Sequence, residues 1–488
     1  MNSQHDFSPA STSTRLGTDR GSLPFVFLAL VGLVAALGFA GLAAAQTDPA
    51  PAAEAAAATT PPAAEPAPAE EARPTGLPKK GTWTFNLDWG GGFFGFGNSL
   101  YTNVRPDPSG DLSENWAESF VKPAISASFA VGGGELYGKL SAVGERTFSA
   151  PPPLVGEEAA SFQVEDANIG WRSGTALGTS ENLFEITGGR AQYRIGHGML
   201  LWDGAGEGGS RGGFWSNARK AWEVAGIVRL KPGNNLFEVF YLDRDEVPEN
   251  DSHTKLWGAN YELTLGDATT LGASYLDLSA DPLVRPLRDG MKVYNVRAYT
   301  APFSSLPGLS FELEFAREDN GDLLRSDAAT GQVAYEMANI AWTPKLFYRY
   351  AQFEGDDPAT ARSESFDMLM PGFYDWGTWW QGEIFGEYIG ANSNLVSHQV
   401  RLHMAPSDSV GWGLIGFMFQ LDTPSALGPT VTSDAVAVEL DAYCDWKINS
   451  NFTASFVAAY ANPRKAVEQA YGRTDAFTYG MVYLAYSY

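Results

Sequence analysis

The chain ends Thr478-Tyr479-Gly480-Met481-Val482-Tyr483-Leu484-Ala485-Tyr486-Ser487-Tyr488. Side chains of an extended strand alternate between its two faces. Tyr488, Tyr486, Leu484 and Val482 therefore share one face, and Ser487, Ala485 and Tyr483 the other. An apolar face that ends in an aromatic residue is how the last strand of an outer-membrane barrel looks, the strand through which barrel-assembly machinery receives the chain. In a bilayer, backbone polar groups must find partners within the protein, so only helices or closed barrels span it. The stretch predicts a final wall strand that pairs with Thr82–Phe94 and closes a ring, its Tyr488–Val482 face in lipid.

A chain of 488 residues can hold two or three soluble domains or one large barrel. Charged residues are 18%, aromatics 13%, and there are 53 glycines, a mixture suited to strands and turns. The net charge of −24 argues against nucleic acid as a partner, which needs clustered Lys and Arg. Cys444 is the single cysteine, so no intrachain disulfide or cysteine-based metal site can form. No phosphate cradle, nucleophile motif or metal-ligand spacing appears, so neither a cofactor nor enzymatic activity is expected. His398 and His403 lie five apart on one strand and should face opposite sides.

Residues 1–45 read as a signal peptide. Arg15 and Arg20 precede an apolar run from Pro24 to Leu42, and Ala43, Ala44 and Ala45 supply a small-residue cleavage site. The rival is a membrane anchor, since the run approaches the ~20 residues that span a bilayer. Residues 46–78 are rich in Ala, Pro and Glu and too poor in apolar surface to offset their conformational entropy. They read as a disordered tether.

Residues 79–488 have a different texture, with apolar and polar residues alternating at period two. Trp83, Phe85, Leu87 and Trp89 oppose Thr84, Asn86 and Asp88. The same holds for Ile125–Val131, Trp257–Leu265, Leu309–Phe315 and Val436–Ala442. Leu236–Leu242 and Val410–Leu421 fit either register, and Phe162–Trp171 changes face near Glu165, as at a β-bulge. Short connections alternate with long ones along the chain, as periplasmic turns do with extracellular loops. Eight short and nine long connections give eighteen strands, with Trp379–Tyr388 placed inside the longest loop, Glu354–Ser393. The fold expected is all-β: a single large antiparallel transmembrane barrel of about 18 strands.

Three groups of residues carry a family resemblance. The first is Gly189, Arg190, Arg194, Gly196 and Gly198 with Gly212–Arg219; the second is Phe353–Asp357 with Phe366. The third is Trp379–Glu387 with Asn392–Leu395, His398 and Pro406–Asp408. In order and spacing they resemble the alginate-export family of bacterial outer-membrane barrels. The resemblance implies a monomeric 18-stranded barrel in outer-membrane lipid that passes an anionic polysaccharide or oligosaccharide.

A barrel of this size leaves an aqueous lumen unless loops fill it, and rings of Lys or Arg at a constriction favour anions. With the polar face luminal, Arg229, Arg297, Arg349 and Arg401 are candidate solute contacts, with Lys139 beside them. Arg190 and Arg194 join them from a Gly-rich strand of unfixed register. A guanidinium can grip a uronate carboxylate with two hydrogen bonds. The alternative is that these arginines brace wall carboxylates such as Glu223, Glu238, Glu262, Glu312, Glu314, Glu439 and Asp441. That acidic luminal face departs from the basic pore the resemblance implies. Trp376, Trp379, Trp380, Glu383 and Glu387 are gate candidates in the long loop, since aromatic faces stack on sugars and loops of this length are commonly functional. A general small-solute porin and a surface adhesion barrel are the competing readings.

Overall fold

The computed structural model describes residues 81–98, 113–149, 158–178, 180–372, 381–472 and 474–488. The signal peptide and tether expected over residues 1–78 lie outside the described residues. Eighteen strands are formed among the described residues. The first six are β1 (Thr82–Gly97), β2 (Glu114–Val131), β3 (Gly134–Phe148), β4 (Ala160–Arg172), β5 (Phe184–Ala191) and β6 (Trp222–Leu230). Next come β7 (Asn235–Asp243), β8 (Lys255–Leu265), β9 (Thr269–Ser279), β10 (Lys292–Thr300), β11 (Leu309–Asp319) and β12 (Arg325–Glu336). The last six are β13 (Lys345–Phe353), β14 (Leu395–Ser407), β15 (Val410–Gln420), β16 (Ala435–Lys447), β17 (Phe452–Pro463) and β18 (Phe477–Ser487).

Each strand pairs antiparallel with its sequence neighbours, and β1 also pairs with β18, so the sheet is a closed ring. At the seam Trp89 faces Tyr486 and Phe93 faces Val482. The pairing starts at Asp88 rather than Thr82, because the lower part of β1 pairs only with β2. The seam ends where Leu87 N and Tyr488 N each donate to the other residue's carbonyl at 3.1 Å. Because the ring is closed, every wall strand has a hydrogen-bonded neighbour on each side, as the membrane interior demands.

Both ends of the barrel's chain lie at the end of the short turns, the periplasmic end. The β2–β3 turn is a two-residue one at Gly132 and Gly133, with φ of 63° and 77°. Two successive positive φ values make a hairpin turn whose twist matches its strands, and glycine takes that conformation at little steric cost. The longest connection holds a π-helical turn, Gly382–Ile389, and no wall strand among its described residues, which preserves the even count. A short helix, α1 (Lys465–Tyr471), occupies the last long connection.

The outer surface is apolar in its middle: Leu313, Val296, Leu440 and Val482 are all exposed. Aromatic pairs flank it at the periplasmic end (Trp83–Phe129, Trp342–Trp412) and at the extracellular end (Tyr241–Trp257, Tyr275–Tyr294). Two such girdles bound the lipid-facing band of an outer-membrane barrel. The expected alternation holds with two local changes. A register shift opposite Phe419–Gln420 breaks it at Val436, which is buried. Glu223, read as luminal, is exposed at the extracellular end of β6. His398 contacts Tyr348 in an exposed setting, while His403 is buried against Tyr443, so the two do face opposite sides.

Candidate functional site: the inner layer and the lumen wall

The inward face of the wall is not polar throughout. In its extracellular half Phe94, Phe96, Trp116, Phe240, Leu276, Leu278, Phe353, Phe417 and Phe419 are buried. They meet inward-folded side chains of two connections, residues 192–221 and the described residues of 354–394, in one apolar cluster with Ile195, Met199, Leu200, Leu201, Phe366, Met370 and Phe385. Removing this surface from water at ~25 cal/mol per Å² drives the loops inward. Strands beneath the layer are apolar on both faces, which is why β7 and β15 fit either register in the sequence.

The two connections also bind each other. Met370 N donates to Leu200 O at 3.1 Å, Trp202 N to Met370 O at 2.9 Å, and Gly372 N to Gly198 O at 2.9 Å. Trp202 lies so close to Gly372 that a Cβ there would sit 2.3 Å from its side chain. Around the ring, Trp215 packs on Phe94, Tyr193 bonds Glu238 of β7, and His197 bonds Glu312 of β11. Phe366 packs on Phe353 of β13, and Phe385 stacks on Phe419 of β15 at 4.2 Å. Trp215 also packs on Tyr483 of β18, so the layer touches wall strands from β1 to β18.

The acidic luminal face is occupied in holding this layer. Glu118 of β2 accepts from Trp215 N and Ser216 N, Glu165 of β4 from Lys220 N and Ala221 N, and Glu439 of β16 from Ile384 N and Phe385 N. Asp441 accepts from Glu383 N, and Glu318 of β11 from Asp367 N. The change of face near Glu165 is a β-bulge: Leu140 and Ala142 oppose Ala167 and Val164, leaving Glu165 and Asp166 against the single residue Ser141. Both carboxylates are thereby buried, Glu165 beneath the layer and Asp166 on Ser141 and Lys139.

Asp245, between β7 and β8, collects Arg190, Arg211 and Arg219. Burial pushes its carboxyl up, but the guanidiniums of Arg219, Arg211 and Arg190 overcome this and leave it below the usual carboxylate range. Arg219 also bonds Gln163, so the cluster ties the 192–221 connection to β4 and to the next loop.

The six candidate arginines are not brought to one place. Arg190 is in the Asp245 cluster. Arg194 lies over the Trp202 ring at 4.4 Å. Arg229 bonds Glu238 at 2.6 Å and Glu185 at 3.3 Å. Arg297 bonds Glu262 and Asn260, both at 2.6 Å, and Ser274 at 2.8 Å. Arg349 and Arg401 stand together: Arg349 faces Gln399 across β13–β14, and Phe347, two residues away, faces Arg401. Arg349 donates to Gln332 at 3.1 Å, and Arg401 lies 3.8 Å over Phe347. Of the gate candidates, Glu383 is buried against β16. Trp376, Trp379, Trp380 and the side chain of Glu387 lie outside the described residues.

The sequence reading missed Glu118, Asp245 and Arg211, which hold the inner layer. Arg219 entered only as the end of a motif, Glu439 and Asp441 only as wall carboxylates, and the face change at Glu165 was the one local signal.

A closed antiparallel ring of eighteen strands, apolar outside between two aromatic girdles, defines an outer-membrane β-barrel protein of bacteria. No protein-family model and no curated protein matches the chain. Among solved structures it is similar to OccAB2 of Acinetobacter baumannii (12% identity, 83% of this chain and 98% of that one, TM-score 0.56). It is likewise similar to OccK5 (OpdH) of Pseudomonas aeruginosa (10%, 83% and 97%, TM-score 0.55) and to OccK8 (OprE) of the same organism (11%, 83% and 98%, TM-score 0.53). At such identities the likeness is one of fold, and it extends over nearly the whole length of those chains.

Proposed function

We propose that the protein is a passive channel for hydrophilic solutes, and that its solutes are saccharides bearing carboxylates. The observation that carries this is the inward patch of β12–β14, where Gln332, Arg349, Gln399 and Arg401 sit beside Phe347 and His403. Guanidinium forks suit carboxylates, amides suit hydroxyls, and an aromatic face suits a sugar ring. A long anionic polymer of the kind implied by the alginate-export resemblance is the largest member of this class. A small-solute porin is the second reading, favoured by the inner layer that narrows the extracellular half.

Planar-bilayer recording under a salt gradient tests both. Discrete conductance with anion preference, blocked by oligouronates and not by neutral oligosaccharides, is expected. Arg349→Glu and Arg401→Glu should each lower the anion preference. Conductance without uronate block leaves the small-solute reading; no conductance sinks both.

A further inference from the structure

Three wall carboxylates repeat one contact. Glu118 takes two successive main-chain N–H groups of the 192–221 connection, Trp215 at 2.9 Å and Ser216 at 2.8 Å. Glu165 takes Lys220 at 2.7 Å and Ala221 at 3.0 Å. Glu439 does the same for the other connection, with Ile384 and Phe385 both at 2.8 Å. Successive N–H groups aimed at one point form a partly positive concavity that suits an anion. All three side chains are almost wholly buried, and among the described residues neither Glu118 nor Glu439 makes an ion pair. They come from three strands and serve two connections of unrelated sequence.

The approach at Glu439 depends on a glycine. Gly382 has φ of +89°, and a Cβ there would lie 2.5 Å from Glu439 Oε1. Any other residue would meet the carboxylate and the backbone strain together.

We propose that Glu118, Glu165 and Glu439 are positioning residues that set the bore by anchoring the inner layer, and that these wall carboxylates are not solute contacts. This rests on the channel reading given above. It accounts for part of the acidity of the luminal face in a channel for anions: these three negative groups face main-chain N–H donors of the loops and are withdrawn from the solute path.

Glu118→Gln and Glu439→Gln keep the size of the side chain but replace one acceptor oxygen with a donor. Loss of one buried charge-assisted bond should lower the ratio of docked to released loop by about ten- to a hundredfold. Hydrogen exchange on the barrel folded in detergent should show the Ile384 and Phe385 amides exchanging faster in Glu439→Gln. In bilayers the same variant should conduct more and admit larger neutral polyethylene glycols. Unchanged exchange in a folded, heat-modifiable barrel overturns the anchoring. Faster exchange with the wild-type conductance and size cut-off overturns the setting of the bore. If the wild-type barrel does not conduct, the channel reading falls and the bore with it, while exchange still decides the anchoring. Should Glu439→Gln fail to fold, Gly382→Ala displaces the same contact without changing the wall, and the same outcomes apply.

Discussion

Single residues in this barrel are decided by what faces them, and Asp245 shows it most plainly. Three arginines from two parts of the chain, β5 and the connection after it, point at one carboxylate. Removing one partner from buried ion pairs costs about 3–5 kcal/mol, because the remaining charges stay buried. Asp245→Asn should lower unfolding stability by about that amount in urea titrations followed by tryptophan fluorescence. The pH dependence has a definite sign. The folded carboxyl titrates below its unfolded value of about 3.9, so its contribution is complete above about pH 4 and disappears as pH falls through the folded value. The wild type should therefore lose part of its margin over the variant in strong acid. A margin that stays constant down to pH 2 would show that the arginines do not depend on this charge. Arg190 was visible in the sequence as a candidate, but Asp245 was not, since nothing in a loop aspartate tells which arginines fold against it.

Among the elements, strands β8 and β11 follow their sequence pattern closely. Their period-two alternation is imposed by lipid on one side along the whole strand, while the inner side turns apolar only near the extracellular end, at Leu256 and Ala316. Strands β7 and β15 were ambiguous because the inner layer gives them a second apolar neighbour. The layer's shape depends on contacts between residues far apart in the chain, such as Leu201 with Met370. Depth then decides what a lipid-facing change costs. Leu313→Arg, at the middle of β11 and facing outward, should destabilise by about 2–4 kcal/mol, whereas Val131→Arg at the periplasmic end of β2 should cost about 0–1 kcal/mol. Folding into lipid vesicles, followed by the heat-modifiable shift in gel mobility, measures both. Equal costs would place the lipid boundary elsewhere.

At the scale of the whole molecule, ring closure uses every sheet edge, so no unpaired strand is left to join a second copy. Light scattering coupled to size exclusion in detergent should find one polypeptide per micelle; a stable oligomer would show that the outer walls associate without strand pairing. The compartment, a count of about eighteen strands, the alternation of short and long connections and the place of the last strand against the first were all legible along the chain. Those features are written in local patterns, because a membrane reads each strand face separately and turn chemistry is local. Long-range packing alone sets the described parts of two connections against the inner wall of the extracellular half. Only it decided that Glu118, Glu165 and Glu439 face main-chain N–H groups of that layer, and that Arg229 and Arg297 pair with wall acids while Arg349 and Arg401 share one patch. The period of a strand says which side chains point inward. What they meet there is set by loops that cross the barrel from distant parts of the chain.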